Sequence, residues 1–281
     1  TPVCTTAETK GLKEHHMSGK LLQALCDAAT AAALSSAGSP SDTQEREICA
    51  LMERVSAADL GLVGGPTKRK HTDGPPVIYT QSVLECRALD IVVFIFPAGA
   101  SIPLHDHPGM TVFSKILYGE LGMSSFDWVQ PPTTQELAGW ASVDEQPRND
   151  TAAAVGNQQR SARRRGDTIL NCEAPTFVLR PEFANIHAFA AASECAVLDV
   201  LMPPYDDERG RDCHYFEEVE ARPAPPADLS LLRVIAAPPN LIIRRSQYQG
   251  PAVHAKSGVL DVLTPPFPTQ RTAGGLPSGH G

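Results

Sequence analysis

The sequence predicts a mainly β fold, a sandwich or barrel of short strands preceded by a helical segment. Three observations predict it. From Val77 onward, short runs rich in β-branched and aromatic residues recur, and Gly, Pro, Asn or Asp punctuates most of the gaps between them. The chain carries 21 glycines and 25 prolines among 281 residues, an excess that suits many tight turns. The strand-like runs do not alternate with helical ones, so βαβ units and a parallel sheet are excluded.

Taken in order, residues 8–60 read as helical. Leu21, Leu22, Leu25 and Ala29 share one face, and Ile48, Leu51, Met52 and Val55 recur at i, i+3, i+4, i+7. Ser39-Pro40-Ser41-Asp42 separates the two runs and offers the second an N-cap and an early proline. Gly64 to Pro76 reads as a linker. It contains Lys68-Arg69-Lys70, which suits a solvated loop better than a nuclear-import signal. Strands are expected at 77–84, 91–96, 110–117, 121–128, 168–170, 176–180, 195–201 and 214–219. Residues 130–166, ending in Arg163-Arg164-Arg165, break the pattern and read as a flexible surface insertion, because a structureless connection that long is uncommon inside a compact domain. The expected organisation is an N-terminal helical segment and linker (1–76), a β domain (77–255) and a disordered tail (256–281).

Composition narrows the class. Hydrophobic residues make up 42% and charged residues 20%, which suits a chain able to bury a core and argues against a disordered one. No apolar run approaches the roughly 18 residues of a membrane span. A net charge of −8 argues against direct nucleic-acid binding. The seven cysteines are an odd number, widely spaced and without a CxxC, so neither a disulfide framework nor a zinc finger is expected. Free thiols fit a reducing compartment, cytoplasm or nucleus. The first residues, TPVCTTAETKGLKEHH, lack the apolar core of a secretory signal, and whether a leader precedes Thr1 is open.

Among nine histidines one pair carries chemistry. In Leu104-His105-Asp106-His107-Pro108, an extended backbone would send both imidazoles to one side and Asp106 to the other. Two imidazoles on one face make half a metal site, although the spacing alone leaves a pair of surface loop histidines equally open. Gly99, five intervening residues and then H-x-H resemble the opening of the first cupin motif. The resemblance implies a cupin double-stranded β-helix barrel behind the helical segment. Where that motif continues with a glutamate ligand, this chain has Thr111 and Val112. His187, about 80 residues downstream, stands where the second cupin motif supplies its histidine. His214, beside Cys213, is ambiguous. His15, His16, His71, His254 and His280 call for no function.

Two longer strings sharpen the resemblance. PLHDHPGMTVFSKILYGELGMSSFDW (103–128) and LDVLMPPYDDERGRDCHYF (198–216) are closely similar to the plant cysteine oxidases and the animal cysteamine (2-aminoethanethiol) dioxygenases. The TVFSK and SFDW elements lean to the plant branch and GRDCHYF to the animal one. Weaker echoes run from Ala58-Asp59-Leu60-Gly61-Leu62 to Gln247-Tyr248-Gln249-Gly250-Pro251. One departure concerns the Gly-Gly pair that usually precedes Asn-Ile-His, here Phe183-Ala184, which puts the local backbone in question.

The resemblance implies a single Fe(2+) held by His105, His107 and His187, with O2 and a substrate thiol as reactants and a sulfinic acid as product. It implies an N-terminal cysteine of a peptide or protein as substrate, transcription factors included, in an oxygen-sensing degradation pathway. Cysteamine, or a metal-binding cupin without catalysis, is the alternative. It also implies a monomer with no membrane partner. Asp199, in an apolar strand, matches a family aspartate that matters for activity, and could attract the substrate amine or merely face solvent by alternation. Tyr205 matches a family tyrosine near the pocket, or is a packing residue in a proline-stiffened turn. Some thiol dioxygenases join a Cys–Tyr pair through a thioether. Cys213 and Tyr215 could form one, although two separate core side chains are the expectation.

Overall fold

A computed structural model describes residues 6–35, 39–62, 74–129, 159–220 and 228–255, with side chains from 17 onward. Two helices, α1 (Thr6–Ala33) and α2 (Asp42–Met52), precede twelve strands. These are β1 (Val77–Glu85), β2 (Asp90–Phe96), β3 (Ser101–His105), β4 (Thr111–Tyr118), β5 (Leu121–Trp128), β6 (Gln159–Leu170), β7 (Phe177–Leu179), β8 (Ile186–Ala191), β9 (Cys195–Met202), β10 (Tyr215–Val219), β11 (Leu229–Ile235) and β12 (Ile242–Arg245).

The strands form two sheets. One runs β12-β1-β2-β9-β4-β7; the other, β10-β11-β6-β5-β8-β3, closes on itself where Tyr215 pairs with His105. Every described pairing is antiparallel except β1 with β12. This is the expected double-stranded β-helix. All eight expected strands are present, and β3, β8, β11 and β12 join them. Three of these, β3, β8 and β12, are short or built from small residues, as in Ile-His-Ala-Phe-Ala-Ala, and carry little β signal; β11, Leu-Ser-Leu-Leu-Arg-Val-Ile, is not so explained.

Alternation explains how the central sheet serves two cores. On β2, Ile91 and Val93 face the helices while Val92, Phe94 and Phe96 face the barrel interior; on β9, Ala196, Leu198 and Val200 face the helices while Cys195, Val197 and Leu201 face inward. Strands buried on both faces read as continuous apolar runs, which is what Ile91–Phe96 looks like, and Ala196–Leu201 apart from Asp199. Into the outer core the helices bring Leu22, Leu25, Ile48 and Met52, each at most 1% exposed.

The helical layer is also held by charge. Lys115 falls on the helix-facing side of β4 and is buried, and its Nζ donates to Glu53 Oε2 at 2.9 Å. A buried ammonium without such a partner would be strongly unfavourable. The other Glu53 oxygen accepts from the main-chain N–H and hydroxyl of Thr176, and Glu45 pairs with Arg180. Ser41 caps α2 in a capping box with Gln44, so Pro40 lies just outside the helix rather than in its first turn. Residues 53–62 are turns, not the helix expected to 60, because Asp59 Oδ2 accepts from both the main chain and the hydroxyl of Ser56.

The two weak sequence echoes meet here. Gly61 has φ +72°, and a Cβ there would lie 2.6 Å from the Gln249 carbonyl carbon; a Cβ on Gly250 would lie 2.8 Å from that of Leu60. The C-terminal segment thus crosses the 57–62 turn backbone to backbone, and Gln23 fastens it by exchanging two hydrogen bonds with His254 main chain.

One boundary differs from expectation. Residues 159–166 belong to β6, so Arg163, Arg164 and Arg165 lie on a strand instead of closing an insertion. Gly166 at φ +135° makes a bulge opposite Ser125 and Phe126, which interrupts the alternation that would reveal the strand. The arginines pair with Asp228, Asp167 and Asp127. The basic trio at 68–70, the rest of the insertion (130–158) and the tail lie outside the described residues. The six described cysteines are free. No described helix is long and apolar enough to cross a membrane.

Replacing Gly61 with alanine is expected to destabilise the protein by about 2–5 kcal/mol. A left-handed alanine costs about 1–2 kcal/mol and the overpacking about 1–3 kcal/mol more. Denaturant unfolding of Gly61→Ala against the parent chain measures this.

Candidate metal centre

Strand register brings the three histidines together. His105, last residue of β3, stands opposite His187 on β8 and Tyr215 on β10. His107 lies two residues beyond β3, past the sheet ladder. The potential ligand nitrogens all lie within 4.8 Å of one another, and all three residues are buried. The rings of His107 and His187 are stacked at 5.1 Å, 4° from parallel. No carboxylate belongs to the group.

Burial holds all three imidazoles below their ordinary pKa, well below for His107 and His187, where the neighbouring histidines add to the desolvation. Each is therefore neutral at pH 7, with a lone pair available. His105 Nδ1 faces the Pro103 carbonyl at 2.9 Å, which leaves its other nitrogen for a ligand. His187 Nδ1 is buried with no hydrogen-bond partner. An orphaned nitrogen among clustered neutral imidazoles fits a metal ion, which would satisfy the lone pairs that the protein leaves unpaired.

All seven candidate residues, the three histidines with Asp199, Tyr205, Cys213 and Tyr215, line one cavity of about 40 Å³. That is room for a few water-sized atoms, at about 10–15 Å³ each. Phe94, Ile102, Val112, Leu179, Phe189, Leu201 and Ile243 supply its apolar walls.

Asp199 sits on the inward side of β9, in step with Val197 and Leu201, and not toward solvent. One carboxylate oxygen is buried and unpartnered. Burial pushes its pKa up to about 7, against a smaller lowering by the Ser114 hydroxyl directly opposite on β4. The Tyr205 hydroxyl lies 2.8 Å from His107 Nδ1 and 2.7 Å from the Asp106 carbonyl oxygen, so it orients a ring of the cluster as well as lining the cavity. The Cys213 thiol hydrogen-bonds with the Tyr205 and Tyr215 hydroxyls, and burial raises its pKa to about 12. Cys213 precedes β10, which begins at Tyr215.

Four supporting residues lie outside the expected set. Asp106 does turn away from the cavity, and its buried carboxylate accepts from the His214 N–H at 2.9 Å and meets the His214 ring at 3.2 Å. Asn185 hydrogen-bonds both main-chain groups of His107. Asp127 accepts the Ala184 N–H at 2.5 Å and pairs with Arg165, whose guanidinium covers Phe183. Ala184 has φ +52°, the left-handed conformation that glycine adopts freely. Asn185 and Asp127 both fall in strings shared with the family, Asn-Ile-His and SFDW, which carried no role for either; Arg165 gave no signal beyond its place in a basic trio.

A double-stranded β-helix with a three-histidine cluster at its centre defines the chain as a cupin of metal-site type. The PCO_ADO family model matches residues 51–253, and the chain belongs to that family. It is 33% identical over 186 residues to plant cysteine oxidase 1 of Arabidopsis thaliana, covering 64% of this chain and 56% of that protein. It is 35% identical over 183 residues to 2-aminoethanethiol dioxygenase of Mus musculus, covering 60% and 66%. The chain thus spans little more than half the length of the plant relative. A cupin superfamily protein from Desulfitobacterium hafniense superposes with a TM-score of 0.28 at 14% identity, over 51% of this chain and 85% of that one.

Two expectations follow. Ala184→Gly should stabilise the fold by about 0.5–1 kcal/mol, because relief of about 1–2 kcal/mol of left-handed strain exceeds the entropy glycine adds to the unfolded chain; denaturant midpoints measure it. Asp199→Asn should gain stability relative to the parent, in metal-free protein, as pH rises from 4 to 7. In that window unfolded Asp199 is ionised while folded Asp199 keeps its proton until pH about 7, so its contribution to stability falls with rising pH. The buried histidines pull the other way, losing stability below pH 6.5, and Asp90, also raised to about 7, shares the Asp199 direction. Only the difference between the two proteins across a pH series isolates Asp199.

Proposed function

We propose that this chain is an Fe(2+)-dependent thiol dioxygenase that oxidises an N-terminal cysteine of a peptide or protein to cysteine sulfinic acid, and that it serves as an oxygen sensor in an N-degron pathway. The observation that carries the reading is the neutral three-histidine cluster without a carboxylate ligand, sharing one small cavity with an Asp199 that keeps one oxygen unpartnered. His105, His107 and His187 would hold the iron, leaving its full charge to be balanced by a substrate thiolate. Bound iron would supply the redox chemistry by which O2 reacts with sulfur. Both oxygen atoms end on sulfur, so thiol plus O2 gives sulfinic acid with no further reductant.

The chain's own residues bind and orient. An N-terminal cysteine presents an ammonium two carbons from its thiol, and the unpartnered oxygen of the Asp199 carboxylate lies beside the cluster to receive it. The apolar walls exclude water and strengthen that attraction. Tyr205 steadies the His107 ring, and the Cys213 thiol, protonated at neutral pH, stays close to both tyrosines. Membership of a family whose relatives are named for cysteine and for 2-aminoethanethiol supports the substrate class. The small cavity favours a second reading, cysteamine itself, which carries the same thiol and amine without a peptide.

Aerobic incubation of iron-loaded protein with Cys-initiated peptides and with cysteamine, read by mass spectrometry, should show a gain of two oxygen atoms. His187→Ala should reduce turnover by at least about 1000-fold, the scale on which removal of an essential catalytic group acts. No gain by fully iron-loaded protein on any peptide, or undiminished turnover by His187→Ala, sinks the reading.

A further inference from the structure

His107 is the ligand candidate that the sheets do not hold. β3 ends at His105, and His107 has no strand partner for its main chain. A ligand on an unpaired loop would be free to swing, yet its ring is stacked on that of His187. The Met110 N–H donates to the His107 carbonyl within the same loop at 3.1 Å, and the tie from the His107 main chain to the His187 segment comes from a side chain. Asn185, buried and 6% exposed, accepts the His107 N–H on Oδ1 at 3.0 Å and donates from Nδ2 to the His107 carbonyl at 2.8 Å. Its carboxamide reproduces the two-bond exchange of an antiparallel pair. The same Nδ2 also donates to the Arg180 carbonyl at 3.2 Å.

We infer that Asn185 is a positioning residue that sets His107 against His187. It stands two residues before His187, so one segment carries both a ligand and the clamp on another ligand. Their relative placement then depends on this carboxamide, with the Tyr205 hydroxyl on the His107 ring, and not on two independently folded strands. Three further contacts fix the clamp. Ala184 N–H donates to Asp127, Arg180 N–H donates to the Phe183 carbonyl at 2.9 Å, and the Arg180 side chain pairs with Glu45 of α2. The inference rests on the metal-site reading of the three histidines and adds to it what keeps them in register.

Cobalt(II) titration of metal-free protein, followed by its d–d absorption, tests both separately. The parent chain should bind one Co(II); failure to bind removes the metal-site reading itself. Asn185→Ala should weaken Co(II) binding by about 10–100-fold, the usual cost of losing a residue that orients a ligand, and should change the band shape. Asn185→Ser, a smaller polar replacement that cannot span both main-chain groups, should do the same if the alanine variant folds poorly. Ile48→Ala, in the helical core far from the cluster, should lower the melting temperature and leave affinity and bands unchanged. Parent-like affinity and bands in both Asn185 variants overturn the inference. So does equal weakening in Ile48→Ala, which would make the effect one of general stability.

Discussion

The constraint on which this structure turns is the burial of four polar side chains, two of which keep an atom that the protein itself does not satisfy. Three imidazoles and a carboxylate lie in an apolar barrel, with a ring nitrogen of His187 and an oxygen of Asp199 unpaired. Each unpaired buried group costs roughly 1–3 kcal/mol. A fold that carries them needs compensation elsewhere, and here the compensation is a core on both sides of one sheet. The helix-facing residues of β2, β4 and β9 bury as fully as the cavity-facing ones. The N-terminal helices are therefore part of the stability of the site, although no helical residue lines the cavity.

The same economy appears in the second layer of polar contacts. Asp106, between two of the histidines, ties their segment to His214 and so to the strand that carries Tyr215. Asn185 ties His107 to the segment that carries His187. Tyr205 joins the His107 ring to the Asp106 carbonyl. Each contact connects segments distant in sequence, with separations of 78 to 108 residues. Contacts of that range cannot be read from local spacing.

This accounts for what was legible in the sequence. Residues whose role follows from local period or an invariant chemical type stood out: the H-x-H pair, the apolar run around Asp199, and the strands with strong β-branched content. Family strings added His187, Tyr205 and the Cys213–Tyr215 neighbourhood, which no local pattern distinguishes. The roles of Asp127, Arg165 and Asn185 stayed hidden because their work is done across the fold. Arg165 was further disguised by Gly166, whose bulge breaks the period of β6. Asp106 was readable only in direction: alternation turned it from the cavity without saying what it would meet.

The position of Ala184 shows how these layers interact. Alanine in a left-handed conformation is strained, and the strain persists only because neighbouring contacts over-determine it. Those contacts are the Asp127 carboxylate on its N–H and, on either side, Phe183 under Arg165 and Asn185 on His107. Arg165 belongs to β6, and Asp127 to the SFDW string shared with the plant branch. The bend that aims Asn185 is thus held by β5 and β6, strands that contribute no side chain to the cavity. In a barrel of this kind the outward face of one strand pair fixes the turn, the turn fixes the carboxamide, and the carboxamide fixes a histidine. Glycine at position 184 would remove the strain but leave that chain of contacts in place, so the geometry of the cluster depends on the carboxylate and the carboxamide more than on the residue that bends.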